Sequence, residues 1–395
     1  MFASSYANKN QEKGNAAVVR IFSCVPCLVV SLNLTSFGSG LKAQHASAIR
    51  YLAEATSAKT SAIHVGCKTV EFQAMKSPAE LANRNIKIAA DGASSILLVF
   101  QSILPVLLFA GDEKGTPITL TIQGGTNGRF TLSYEYLDQV LLPSLERFGI
   151  HVDRKLERRG WAQGPNQIGS VKFEFLPLPL GTSLKTPKWP TNRGTVTKID
   201  ISILAPLRNQ QALQECLTFE TGLVFPNIKI TFLLVEESGH DSRIYTLLVA
   251  HTSSGLRFGR DWLYDKTTRN KTPDILATEI AQYVVDQLDA EIQKGGVVDE
   301  YLQDQLVIFQ ALAEGSSSIP GSREALESNK TKADFSERPF GEGSLHTTTA
   351  RWVTSQLLPD AKWIDNGRIC EGIGWRLHAP AVSSIESLIA PLEQL

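Results

Sequence analysis

His346 lies in the run Gly343-Ser344-Leu345-His346-Thr347-Thr348-Thr349, after a polar stretch and before an apolar helical pattern. The threonine hydroxyls offer caps for that helix. A helix start favours the neutral imidazole, and a neutral imidazole can attack an electrophile and carry it covalently. Spacing alone also admits a histidine that only hydrogen-bonds a loop, which is the commoner case. A second group is Tyr301-Leu302-Gln303-Asp304-Gln305-Leu306. Helical spacing puts Leu302 and Leu306 toward a core and Tyr301, Asp304 and Gln305 on a neighbouring face. A ring, a carboxyl and an amide suit a nucleotide, and a solvated helix face fits the same pattern. The third is Gln101, inside Ile96-Leu97-Leu98-Val99-Phe100-Gln101-Ser102-Ile103-Leu104. A buried amide must find a partner or open into a site. Pro105 also strips the Gln101 carbonyl of its helical donor, which makes that turn irregular.

Two further runs are less telling. Gly124-Gly125-Thr126-Asn127-Gly128 is a tight turn whose N–H groups suit phosphate, but no Lys-Ser/Thr follows as in a P-loop. A plain turn accounts for it equally. Arg158-Arg159-Gly160-Trp161 pairs charge with an aromatic, as an RNA end would require or as a packed strand end would show.

The elements that must position these groups follow from periodicity. Helices are predicted over 44–55, 96–110 and 136–148, the last closed by Gly149. Further helices fall at 210–218, 272–294, 298–313 and 351–358. Strands are predicted at 62–65, 69–72, 86–89, 117–123, 150–156, 170–175, 196–204, 228–235 and 245–252, with a closing hairpin over 363–375. The proline-rich 177–193 reads as a linker, and 314–342, rich in Ser, Glu, Lys and Gly, as a surface loop. A helix followed by two strands recurs after Ala55 and after Phe148. That recurrence suggests a repeated α/β unit with sheets covered by helices on one face.

The chain has 395 residues, 43% hydrophobic and 20% charged, with a formal net charge of −1. This composition suits a globular protein with a sizeable core, in two or three domains or one with an insertion. A near-neutral chain does not coat long nucleic acid; it can grip one RNA end through local basic groups. The dispersed Cys24, Cys27, Cys67, Cys216 and Cys370 read as reduced, intracellular thiols. Cys24-x-x-Cys27 has no second ligand pair for zinc. The apolar runs 18–34 and 96–110 read as core elements, so no membrane span is expected.

Taken in order, these pieces resemble the RNA 3'-terminal phosphate cyclase family over residues 38–375. Gly40-Leu41-Lys42-Ala43-Gln44-His45 is similar to its Gly-Leu-x-x-Gln-His helix start. The run with Gln101 and Leu104-Pro105 is similar to its Gln-x-x-Leu-Pro helix. Gly124-Gly125-Thr126-Asn127, Tyr136-Leu137, Leu142-Pro143 and Arg158-Arg159-Gly160 follow as they do there. Tyr301-Leu302-Gln303-Asp304-Gln305 resembles the nucleotide-binding segment, and His346 falls at the adenylated histidine.

The resemblance implies an α/β fold of repeated βαβαββ units, related to enolpyruvate transferases. A small α/β domain is inserted at 199–260, leaving 1–198 and 261–395 as the core. It implies an ATP-dependent conversion of an RNA 3'-phosphate to a 2',3'-cyclic phosphate, with His346 as nucleophile. Gln101, Tyr301, Leu302, Gln303, Asp304 and Gln305 would contact ATP. Mg²⁺, through ligands the sequence does not identify, would neutralise the triphosphate. RNA 3' ends are the implied partner, in the nucleus or else the cytoplasm; the oligomeric state is not implied.

The sequence departs from the family at Leu132, at Trp161-Ala162-Gln163-Gly164-Pro165, and in residues 1–35. Those last residues lack its acidic residue followed by Gly-Gly-Gly-Gln. Weak cyclisation is therefore expected, whether through a natural deletion or a displaced start. The alternative reading is a non-catalytic, cyclase-like protein that binds pre-ribosomal RNA, against which His346 argues. A third, an enolpyruvate transferase, would need a basic cluster that is not visible.

Overall fold

A computed structural model describes residues 19–24, 27–33, 40–90, 92, 94–129, 131–165, 168–322 and 341–377, the first two ranges as backbone alone. The first sheet joins β1 (Val19–Cys24) and β2 (Cys27–Asn33) to elements either side of a short loop. These follow α1 (Ala43–Ala55) and are β3 (Lys59–Thr60) and β4 (Thr69–Gln73), in the antiparallel order β1-β2-β4-β3. Within the apolar run 18–34, Val19–Cys24 and Cys27–Asn33 thus pair as antiparallel strands, with Cys24 opposite Cys27. β-branched and aromatic residues favour that outcome. Residues 1–18, where part of the departure from the family lies, fall outside the described residues.

The second sheet forms in the chain order β5 (Asn85–Ala89), α2 (Ile96–Leu107), β6 (Ile118–Gly124), a helical segment, β7 (Val152–Arg158) and β8 (Gly169–Phe175). Its spatial order is β5-β6-β8-β7, with only β5 and β6 parallel. The helical segment comprises α3 (Tyr134–Tyr136), a π-helical turn over Leu137–Leu141, α4 (Leu142–Leu145) and a 3-10 turn over Glu146–Phe148. It ends at Gly149 with φ of 78°, the left-handed stop the sequence suggests. Pro143 explains part of the irregularity. It has no N–H to give the Gln139 carbonyl, which instead accepts from Arg257 Nη1 at 2.8 Å.

The third sheet has the order β10-β9-β11-β12, built from β9 (Val196–Ala205), β10 (Lys229–Glu237), β11 (Tyr245–Thr252) and β12 (Arg257–Leu263). α5 (Leu207–Val224) and α6 (Pro273–Gln293) pack together beside it. The remainder is α7 (Glu300–Leu312), β13 (Glu314–Ser318), α8 (Leu345–Leu357), β14 (Lys362–Ile364) and β15 (Ile369–Ile373), with strands ordered β13-β15-β14. The protein is therefore mixed α/β.

Three local expectations fail. Residues 62–65 form no strand; they lie in a loop closed by Leu41 and Cys67, each bonded through the backbone at 2.8 Å. β12 is absent from the sequence reading because Gly259 and Arg260 break its alternation. A Cβ on Gly259 would sit 2.6 Å from the Tyr136 ring, so the strand gives up a side chain for a close approach. β13 reads Glu-Gly-Ser-Ser-Ser, loop-like in composition, yet it ladders with β15.

One large core unites the second and third sheets with α2, α6 and α7. α2 is largely buried, with nine of its 12 residues in the interior. Each large apolar side chain there contributes ~1.5–3 kcal/mol on burial. Its register is set by Ser95, whose hydroxyl caps Leu98 N, and by Ile96 N bonding Gly125 O at 3.0 Å. The Gly-Gly turn is thereby tied to the start of α2. A Cβ on Gly124 would lie 2.3 Å from Ser94 O.

Candidate functional site

A cleft opens where α1, α2, α4, α7 and α8 meet. His45, Leu98, Gln101, Leu141, Leu145, Asp304, Gln305 and Ile308 line it, together with Ala350, Val353 and Thr354. The three α8 residues occupy one helical stripe, and His346 stands one turn before Ala350 on that stripe, outside the cleft lining. His346 is half-buried, and burial lowers its pKa against the opposing pull of Glu300. Burial thus holds the imidazole toward its neutral form.

The start of α8 is firmly built. Ser344, not the threonines, caps the helix by accepting from Thr347 N at 3.2 Å. Gly343 has φ of 108°, and a Cβ there would meet Gln303 Oε1 at 2.6 Å. Arg351, buried under the turn, donates to Glu342 O. Arg368 pairs with the Glu342 carboxylate at 2.9 Å. The Gln303 amide lies 3.2 Å from both Gly321 N and Arg351 Nη2. Gln303 therefore supports the segment before His346 from beneath and does not line the cleft. Leu302 is packed into the core.

α7 starts at Asp299, which accepts from the Tyr301 and Leu302 amides at 3.0 Å. Tyr301 is 42% exposed, and the Arg260 guanidinium lies 4.4 Å from its ring centroid. It sits one turn above Asp304, outside the cleft lining, and Glu300 acts electrostatically on both Tyr301 and His346. Asp304 is pushed up to about 7 by burial, against the Gln305 amide that donates to it at 2.9 Å. Between the ordinary carboxyl value and 7 the folded chain holds a proton that the unfolded chain has lost. Stability from this group is full below the unfolded value and declines as pH rises toward 7. Asp304→Asn should flatten that decline in urea-unfolding measurements between pH 4 and 7. An unaltered slope would mean that Asp304 titrates normally.

Gln101 sits on α2 with its Nε2 buried and, among the described residues, donating to no protein group. Such a donor costs about 1–3 kcal/mol in the free protein, a cost a ligand acceptor would remove. Gln101→Leu should stabilise the free protein by about 1 kcal/mol while weakening nucleotide binding. Urea unfolding and a nucleotide titration check the two halves separately. Equal binding by both proteins would place the amide outside the site.

The remaining candidate runs are structural. Thr126 Oγ1 bonds Gly160 O at 3.0 Å and Asn127 Nδ2 bonds Glu135 Oε2 at 2.8 Å, so this turn is a buried latch. Arg159 bridges Glu135 and Glu236, each at 2.5 Å, and Trp161 is buried beneath Arg243. His45, quoted in sequence only as part of a motif, lines the cleft, and burial lowers it to about 4. Its Nδ1 accepts from Lys42 N at 3.3 Å, which leaves Nε2 as the protonated nitrogen. Arg260 carries no sequence signal, because a lone arginine in a strand resembles any other.

Among the described residues no three His, Cys, Asp or Glu side chains converge to hold a metal ion. Among them, too, no helix is long and apolar enough to cross a membrane.

Comparison with known proteins shows the family of the chain. A family model described as RNA 3'-terminal phosphate cyclase matches residues 33–361. A protein of that name from Drosophila melanogaster is 28% identical over 306 residues, 75% of this chain and 79% of its own. One from Thermococcus sibiricus is 28% identical over 312 residues, covering 76% and 82%. One from Methanosarcina mazei is 28% identical over 329 residues, covering 81% and 83%.

Proposed function

Because this chain belongs to the RNA 3'-terminal phosphate cyclase family, we propose that it closes RNA 3'-phosphates into 2',3'-cyclic phosphates with ATP, through His346. The observation that carries the reading is one of convergence. Gln101 comes from α2 and Asp304 and Gln305 from α7, about two hundred residues later, yet all line one cleft with Ala350, Val353 and Thr354 of α8, and His346, outside that lining, stands one helical turn before Ala350.

In the first step a neutral His346 ring nitrogen attacks the α-phosphorus of ATP. The new P–N bond forms as the bond to the β-phosphate oxygen breaks, and pyrophosphate leaves. An oxygen of the RNA 3'-phosphate then displaces the imidazole and takes the AMP. Finally the 2'-hydroxyl attacks the 3'-phosphorus, expels AMP and releases its proton to solvent.

The residues fit a nucleotide on two counts. The unpartnered Gln101 Nε2 seeks an acceptor, and the mainly apolar walls of the cleft suit a purine. A protonated Asp304 would donate and an ionised one accept, so the pair Asp304 and Gln305 can read a base edge. Among the described residues the donor set does not fit a protein-held Mg²⁺. The repeated βαβαββ architecture and an inserted unit built on β9 to β12 belong to the same reading.

The test is a 3'-phosphorylated oligonucleotide incubated with ATP. Cyclisation makes the end resistant to phosphatase and yields one AMP and one pyrophosphate per end. An end that stays phosphatase-sensitive, with no pyrophosphate released, would overturn the reading.

A further inference from the structure

We infer that a second, polar cleft on the far side of α4 is a phosphoryl-binding site whose ligating groups are Arg147 and Arg257. The cleft is lined by Pro143, Ser144, Glu146, Arg147, His151, Trp189 and Arg257, with backbone from Gly255 and Leu256. Nothing in the proposed reaction uses it.

Both guanidiniums are fixed by backbone carbonyls. Arg147 Nη2 donates to Gly255 O at 2.7 Å, and its guanidinium lies 5.2 Å from the Trp189 ring centroid. Arg257 Nη1 donates to Gln139 O at 2.8 Å, the carbonyl that Pro143 leaves without a helical donor. The irregular turn in the helical segment therefore aims Arg257.

Among the described residues no carboxylate comes within ion-pair distance of either arginine. Glu146 is the one acid in the lining, and it is exposed at the rim. The buried Asp200 is occupied by Lys198 at 2.6 Å and His251 at 2.8 Å. Burial, and then the charge of Arg257, act against protonated Arg147. Two half-buried like charges held together, without a counter-charge, are unfavourable until an anion lies between them. A planar fork presents paired N–H donors, which match a phosphoryl group.

The phosphoryl group has two sources: a phosphodiester of the RNA strand upstream of its end, or a free phosphate or pyrophosphate ion. The first rests on the proposed function; the second does not. α4 and α7 border both clefts; on α4, Leu145 lines the first and Ser144 the second. A helix is about 10 Å across, so a strand ending in the first cleft can wrap to the second.

The test uses the full chain, with Arg257→Gln and Arg257→Lys, and thermal melting to verify the fold. Ligands are a 3'-phosphorylated decanucleotide, a 3'-phosphorylated mononucleotide and inorganic pyrophosphate. Arg257→Gln should weaken the decanucleotide roughly fivefold to tenfold and lower its log K against log salt slope by about 0.7, while lysine restores most of both. The mononucleotide and ATP labelling of the protein should be unaffected. If pyrophosphate affinity falls instead and the decanucleotide's does not, the site takes the free ion. Equal affinity of Arg257→Gln and parent for both would overturn the inference. Loss of ATP labelling in the parent itself would overturn the proposed function and leave the pyrophosphate result standing.

Discussion

His346→Ala should reduce covalent labelling by α-labelled ATP at least ~10³-fold, to background, because no other group on the α8 stripe can replace the attacking nitrogen. The neighbours on the α8 stripe are Ala350, Val353 and Thr354, none a competent nucleophile under a neutral regime. His45 does reach the cleft, but it belongs to the α1 wall and its Nδ1 is engaged by Lys42 N. The substitution should leave the fold intact. Alanine is a good helix former, Ser344 still caps α8, and Arg351 and Arg368 still hold the preceding turn. The label on the parent should be lost in acid and kept in alkali, as a P–N bond requires. A labelled alanine variant of normal stability would show that the nucleophile lies elsewhere, with His45→Ala the next variant to make.

The sequence makes some of this site legible and hides the rest for identifiable reasons. α1, α2, α6 and α7 are visible because long apolar periods and caps reinforce one another, as Ser95 and Asp299 do. Gln101 is conspicuous because an amide is out of place in an apolar helix, and its buried Nε2 has no partner among the described residues. The five-residue run from Tyr301 is less uniform than its motif suggests. One helix turn sends Asp304 and Gln305 into the cleft, Leu302 into the core, Gln303 under Gly343 and Tyr301 against Arg260. Consecutive residues on a helix point 100° apart, so a contiguous motif cannot be a contiguous surface. β12 and Arg260 stay hidden because their roles depend on residues far away in the chain, Tyr136 and Asp299 above all.

Asp299→Ala should cost about 3–5 kcal/mol of stability, the largest single loss expected in this protein. Asp299 is 0% exposed. Its Oδ1 caps α7 and also accepts from Tyr136 Oη at 2.5 Å, while Oδ2 accepts from Gly259 N at 2.8 Å. Arg260 lies 3.8 Å away and shares its charge between Asp299, Glu291 and Glu300. One carboxylate thus ties β12, the helical segment after β6 and α7 to a single point. Alanine removes a cap, which is worth about 1 kcal/mol alone, and leaves a buried hydroxyl and a buried amide unsatisfied. It also leaves Arg260 with fewer counter-charges under the Tyr301 ring. The first turn of α7 should then fray, carrying Tyr301 away and loosening Asp304 and Gln305 one turn on. The expected signature is a lower urea midpoint together with weaker ATP binding, while residual labelling still occurs on His346. Arg260→Met would remove the charge and keep the packing. It should recover part of the stability in the double variant, because an uncompensated buried cation is worse than none. A stability loss below about 1 kcal/mol for Asp299→Ala would show that water replaces the carboxylate and that α7 is held by its apolar face alone.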